Sequence, residues 1–168
     1  MELITTMKDV VRSAIKMGFD LYGLNPLMRK GEVMPQEPNW KDKKAVDEYF
    51  KITNRLEKEN CGIYFRNNVW WWRSIAGAIE LTCYDLLSEK QAKGLHFNDG
   101  VKYDNLLAIK IAERLEKMLE ENRLDLICKP IKEELEEDGK YQDLYPYSED
   151  NFENFCMFLR ESGGFQIC

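Results

Sequence analysis

The sequence predicts an α+β fold: a mostly helical single domain spanning residues 1–168, with a small antiparallel sheet formed by short strands near 19–24, 63–66 and 164–168. Three observations predict it. Through most of the chain, apolar residues recur at three- and four-residue spacing, the period of a helix with one buried face. Three short segments, around Phe19–Leu24, Ile63–Arg66 and Phe165–Cys168, lack that period and are bounded by Gly, Asn or Pro. At 168 residues, 44% of them hydrophobic, the chain is long enough to bury one core without cross-links.

Leu3, Ile4, Met7, Val10, Val11, Ala14 and Ile15 predict a helix over 3–16, ended by Gly18. Its charges, Glu2, Lys8, Asp9, Arg12 and Lys16, make it amphipathic and unlike a signal peptide. No apolar stretch approaches the ~20 residues that span a bilayer, so a cytoplasmic protein is expected. Residues 27–42 contain Gly31, Pro35 and Pro38 without a period and read as a loop. Residues 41–59 read as a helix with Ala45, Tyr49, Ile52 and Leu56 on one stripe, closed by Asn60-Cys61-Gly62.

The run Tyr64-Phe65-Arg66-Asn67-Asn68-Val69-Trp70-Trp71-Trp72-Arg73 holds three of the four tryptophans. Successive side chains on a helix point about 100° apart, so one face cannot bury three neighbours. At least one indole must therefore meet a second layer of the fold or a ligand. Asn67 or Asn68 is the expected N-cap of a helix reaching about Leu87, since its side-chain oxygen can accept a free backbone N–H. The inner stripe is Trp72, Ile75, Ala76, Ile79, Cys83 and Leu86, with Trp70 and Trp71 toward the flanks.

Lys93–Gly100 reads as a loop with a turn at its end. Asp104 or Asn105 is expected to cap a helix over 104–122, with Leu107, Ile111, Leu115, Met118 and Leu119 inward. Residues 123–138 are read as continuing it after a break at Pro130, and 139–148 as a polar loop. A last helix over 150–161 turns Phe152, Phe155, Cys156 and Leu159 inward; Gly163-Gly164 ends it before the terminal strand.

The five cysteines are odd in number and widely spaced, with no CxxC and no cysteine near the lone His96. A disulfide framework or a zinc site is not indicated, and reduced thiols fit a cytosol. Cys83, Cys128 and Cys156 lie in apolar company and are expected to pack as small hydrophobes. Residues 131–168 hold 3 Lys/Arg against 10 Asp/Glu, a net −7, so the whole negative excess of the chain lies in its last quarter. Such a balance argues against a general DNA binder, which needs clustered cations. It leaves Glu133, Glu134, Glu136, Glu137 and Asp138 as an acidic surface for a basic partner, or as a solvated helix face.

Arg66, Asn67, Asn68, Trp70, Trp71 and Arg73 are the candidate binding residues. Indole faces stack on a planar group, while arginine and asparagine read its polar edge or phosphate. The alternative is structural: an asparagine caps the helix, Arg73 lies over a tryptophan face, and the block joins strand to helix at the core. His96, Asp99, Asp20 and Asp104 are the side chains to consider for catalysis or a metal. No HxH, HExxH, GxSxG or P-loop pattern accompanies them, and loop residues and turn-forming aspartates explain them equally well. No catalytic residue, metal or cofactor is assigned.

Several segments together resemble an uncharacterised family of small phage and prophage proteins. Gly18-Phe19-Asp20-Leu21-Tyr22-Gly23-Leu24-Asn25-Pro26 is similar to its opening, and Gly62–Arg73 to its YFRNNVWWWR block. Asn98-Asp99-Gly100 and the tail Phe158–Cys168, with its SGGFxIC pattern, are similar to two further family segments. Ser74 and Ala76 depart from the family pattern. Against it, residues 1–16 form an N-terminal helical extension and 33–60 a helical insertion able to carry a partner-specific role. The resemblance implies a viral origin and no established activity.

The leading expectation is therefore a phage-encoded, non-enzymatic binding protein that inhibits a host defence complex in the host cytoplasm, such as an anti-CRISPR acting on a Cas effector nuclease. Its partner would be a host protein or ribonucleoprotein. The alternative is a small-ligand protein that binds or sequesters a nucleotide signal through the Trp/Arg block. A third reading is an enzyme with a site around His96 and Asp99.

Overall fold

The computed structural model describes residues 18–126, 129 and 148–168. The predicted helix over 3–16 and the acidic residues Glu133, Glu134, Glu136, Glu137 and Asp138 lie outside them, as does Cys128.

Strands β1 (Gly18–Gly23), β2 (Tyr64–Asn68), β3 (Lys102–Asp104) and β4 (Gly164–Ile167) form one antiparallel sheet in the order β2-β1-β4-β3. Cross-strand partners share a face of a sheet. Leu21 faces Phe65 and Ile167, Phe19 faces Asn67, and Tyr103 faces Phe165, so these residues make the inner face. Asp20 opposite Arg66, and Tyr22 opposite Tyr64 and Gln166, make the outer one. The three expected strands are all present. The fourth, β3, falls in a stretch read from sequence as turn and helix start: three residues are too few to show a period, and Tyr103 becomes a strand residue by stacking on Phe165, with ring centroids 4.4 Å apart.

Helices α2 (Val69–Cys83), α4 (Asn105–Glu120) and α5 (Glu149–Glu161) pack on the inner face. Their core-directed residues alternate with the helical period: Trp72, Ile75, Ala76, Ile79 and Cys83 on α2; Leu107, Ile111, Leu115 and Met118 on α4; Phe152, Phe155, Cys156 and Leu159 on α5. Phe155 joins the layers, lying edge-on to Trp72 at 5.7 Å and to Phe165 at 6.4 Å. Each helix starts on a side-chain cap: Asn68 for α2, Asp104 for α4 and Ser148 for α5.

Helix α2 ends at Cys83, not near Leu87 as its stripe implied. The Arg114 guanidinium on α4 takes both the Thr82 carbonyl and the Asp85 carboxylate, which satisfies the last turn and redirects the chain. A short helix, α3 (Glu89–Gly94), follows where sequence showed no element. It begins with a capping box between Ser88 and Gln91.

Helix α1 (Lys43–Glu59) stands apart. Asp42 caps it, accepting from Lys44 N and Ala45 N, and Leu56 is its one buried residue. Its foot is pinned by buried Asn60, whose Nδ2 donates to the Leu56 carbonyl at 3.0 Å and whose Oδ1 accepts from Arg29 N at 2.7 Å. Arg29 opens a 3-10 turn, Arg29–Gly31, inside the segment read as loop.

Two glycines close the fold. Gly163 and Gly164 have φ of +63° and +95°, and a Cβ on Gly163 would stand 2.1 Å from the Asn25 carbonyl oxygen. Only glycine makes this reversal from α5 into β4 without strain. The turn lets Leu24 N and Asn25 N donate to the Gly164 and Ser162 carbonyls, which ties the end of β1 to the end of the chain.

Candidate functional site

The tryptophan block divides as helix geometry requires. Trp72 turns inward and is 1% exposed; its ring stacks on Phe19 at 5.4 Å and its Nε1 donates to the Leu95 carbonyl at 2.6 Å. Burying a large aromatic side chain contributes about 2–3 kcal/mol, so Trp72 is an anchor of the core. Anchoring it leaves Trp70 and Trp71 half-buried on the flanks. Trp70 lies under the Arg73 guanidinium, 5.1 Å from ring centroid to Cζ. Such a contact is worth about 0.5–1 kcal/mol where water reaches it.

Trp71 faces the other way, into an open groove of about 350 Å³. Arg66, Asn67, Asn68 and Trp71 form one wall, at the passage from β2 into α2. Ser148, Asp150, Asn151 and Asn154, from the first turns of α5, form the other. The structure thus joins four of the six sequence-predicted binding residues in one concavity and sets Trp70 and Arg73 in a separate pair. The second wall was not legible as part of a site. Its single signal was Asp150, read as a helix start; its distance from the block, some eighty positions along the chain, is closed only by α5 packing under the sheet.

The asparagines differ in what they have left to offer. Asn68 Oδ1 accepts from both Trp70 N and Trp71 N at 3.0 Å, so the cap falls to Asn68 and not to Asn67. Asn67 points to the inner face opposite Phe19 and is 7% exposed. Its Nδ2 is shut off from solvent and has no hydrogen-bond partner. Leaving a buried donor unmet costs about 1–3 kcal/mol. Ser148 Oγ is occupied by Asn151 N at 3.1 Å. Arg66 is half-exposed, and its Nε stands 3.6 Å from Asp20 Oδ1 across the outer face. Asp20 also accepts from the Tyr64 hydroxyl; burial first, and this bond second, push the Tyr64 pKa up to about 12.

The side chains considered for catalysis have separate partners. His96 Nε2 lies 2.8 Å from Glu80 Oε1 on an exposed surface. Asp104 caps α4, accepting from Leu107 N at 2.9 Å, and Asp99 is exposed on its turn. Among the described residues, no three His, Cys, Asp or Glu side chains are grouped to hold a metal ion. Cys83 and Cys156 are buried, as their apolar company implied, and burial pushes the Cys156 thiol up to about 12. Cys61 donates to Glu161 Oε2; burial and this carboxylate push its thiol up to about 11.

A second surface was missed altogether. Trp40 lies against Tyr49 and Phe50 of α1, with ring centroids 5.9 and 6.3 Å away, and Tyr49 and Phe50 are 5.7 Å apart. Trp40 is 58% exposed and Phe50 47%. The fourth tryptophan therefore heads a small aromatic ridge on the outer helix. Its sequence signal, Tyr49-Phe50 nine and ten residues after Trp40, is too sparse to separate from ordinary helix patterning.

No protein-family model, curated protein or solved structure matches the chain. Among the described residues, no helix is long and apolar enough to cross a membrane.

Proposed function

We propose that this chain is a phage-encoded, non-enzymatic binding protein that docks on a host defence complex in the host cytoplasm and blocks it, as an anti-CRISPR blocks a Cas effector nuclease. The observation that carries the reading is the ridge. A helix of 17 residues with a side-chain cap at its head and a pinned foot gives one buried residue, Leu56, to the core. Ordering that many residues costs on the order of 1–2 kcal/mol each in backbone freedom, and one buried leucine returns only about 2 kcal/mol. What the helix presents outward is a set of rings already in contact with one another.

Rigid aromatic anchors are the residues that dominate protein interfaces, because they bury large area at little entropic cost on binding. The ridge lies within the segment, 33–60, that reads as an insertion against the phage and prophage family, and the viral setting rests on that resemblance. The separate partners of His96, Asp20 and Asp104 support binding over catalysis.

Affinity capture from host lysate at low salt tests the proposal. The tagged protein is expected to retain a host protein or ribonucleoprotein, and a Trp40→Ala, Phe50→Ala double variant with the same melting temperature is expected to lose it. Capture of nothing, or equal capture by both, removes the proposal.

A further inference from the structure

Helix α1 turns one side to solvent, and that side is positively charged. Successive residues on a helix are about 100° apart, so Lys43, Lys44, Phe50, Lys51 and Lys58 fall within about 60° of the direction opposite buried Leu56. All five are exposed, and Asp47 is the single acid on the same side. Among the described residues, none of these lysines stands within ion-pair distance of a carboxylate. On the flank, by contrast, Arg55 meets Glu32 Oε1 at 2.8 Å and Glu59 Oε2 at 3.1 Å. Two of the lysines even oppose the helix. No acid sits in its first turn, and Lys43 and Lys44 stand there against the positive end of the dipole. Uncompensated cations on a chain of net charge −6 suit a contact with an anionic partner.

The spacing narrows the partner. Lys44, Lys51 and Lys58 recur every seven residues, about 10 Å of helix rise per step. A second helix laid along α1 presents its own side chains at the same interval. Trp40 and Phe50, 58% and 47% exposed, offer it apolar contact beside the lysines. Nucleic acid fits less well. Its phosphates are unbroken along the strand and would meet Asp47, which lies between Lys44 and Lys51. Sites for single strands are grooves, whereas this face is convex. A second copy of the chain would set lysine against lysine. We propose that the outward face of α1 docks an acidic amphipathic helix of a partner protein. Its carboxylates, at seven-residue spacing, lie opposite Lys44, Lys51 and Lys58, and its apolar side chains lie against Trp40 and Phe50. This inference rests on the docking role proposed above and names the chemistry of the partner.

Fluorescence anisotropy of a labelled synthetic helix, titrated with the full chain at low salt, tests the proposal. The probe has three heptads, with glutamate at every seventh position and leucine beside it. It is expected to bind at micromolar concentration. The same peptide with its glutamates shuffled off the stripe, and a thymidine 20-mer, are each expected to bind at least about tenfold more weakly. The triple variant Lys44→Gln, Lys51→Gln, Lys58→Gln is expected to keep its melting temperature and to bind the striped peptide at least about tenfold more weakly. No binding of the striped peptide at about 100 μM overturns the proposal. So does equal binding of the shuffled peptide or the oligonucleotide, or an unchanged affinity in the triple variant. The two proposals fail separately. A lysate partner released by Trp40→Ala, Phe50→Ala but held by the triple variant supports docking and overturns the acidic helix. Striped-peptide binding that meets every expectation, with nothing captured from lysate, supports the acidic helix and removes the host complex.

Discussion

The groove and the ridge both expose tryptophan, and they hold it in opposite ways. Trp71 is half-buried because its neighbour Trp72 is committed to the core. With Trp72 stacked on Phe19 and bonded to Leu95, the rotation between successive helix positions decides where Trp71 goes. Trp40 has no such neighbour. It is held by two rings in the second turn of α1, whose one buried residue is Leu56. The groove is concave and polar, and it unites segments from the middle and the end of the chain. The ridge is convex and apolar, and it is complete within residues 40–50. Exposure of an aromatic ring is thus a by-product of core packing in one place, whereas in the other it is what the local structure supports.

The sharpest way to break this contrast is to remove the two indoles that sit side by side. Trp72→Ala is expected to lower stability by about 3–5 kcal/mol. Trp71→Ala is expected to cost about 1 kcal/mol. Denaturant unfolding of both variants measures this, and equal losses would mean that Trp71 is also a core residue. Next in size is the ridge. In Trp40→Ala, Phe50→Ala the affinity for the captured partner is expected to fall about 30-fold or more, the scale of a hot spot of roughly 2 kcal/mol. Stability should change by under about 1 kcal/mol, because neither ring reaches the core.

The two caps give a finer comparison. Asn68→Ala removes the cap of a core helix and is expected to lower global stability by about 1 kcal/mol. Asp42→Ala removes the cap of α1 and is expected to speed hydrogen exchange of the α1 amides while the melting temperature stays nearly constant. A matching fall in global stability for Asp42→Ala would show that α1 is part of the cooperative core.

A further difference is expected with pH. Folding holds the Cys61 thiol up at about 11 and the Cys156 thiol up at about 12, against an unfolded value of about 8.5. The folded state therefore keeps these protons longer. Their contribution is fully present below about pH 8.5, and it is lost as pH rises through 11 and 12. Melting temperature should be flat from pH 7 to 8 and lower at pH 10. At pH 8, alkylation mapped by mass should find exposed Cys168 labelled well before Cys61, Cys83 and Cys156.

Periodicity was sufficient for the main helices, because a buried face repeats at 3.6 residues whatever it packs against, and the lack of that period between Gly, Asn and Pro marked three of the strands. The inner stripe of α2, the capping role of one of the two asparagines, and the division of the tryptophans between core and flank all follow from that rule. Tertiary structure decided the rest. It stopped α2 at Cys83 through a guanidinium from α4, and it made Tyr103 a strand residue by stacking it on Phe165. It brought Asn151 and Asn154 to Asn67, and it left the Asn67 amide without a partner. Such outcomes depend on contacts between positions far apart in the chain. A local pattern states which face of an element is buried, and it carries no information on which distant side chain will meet that face or fail to.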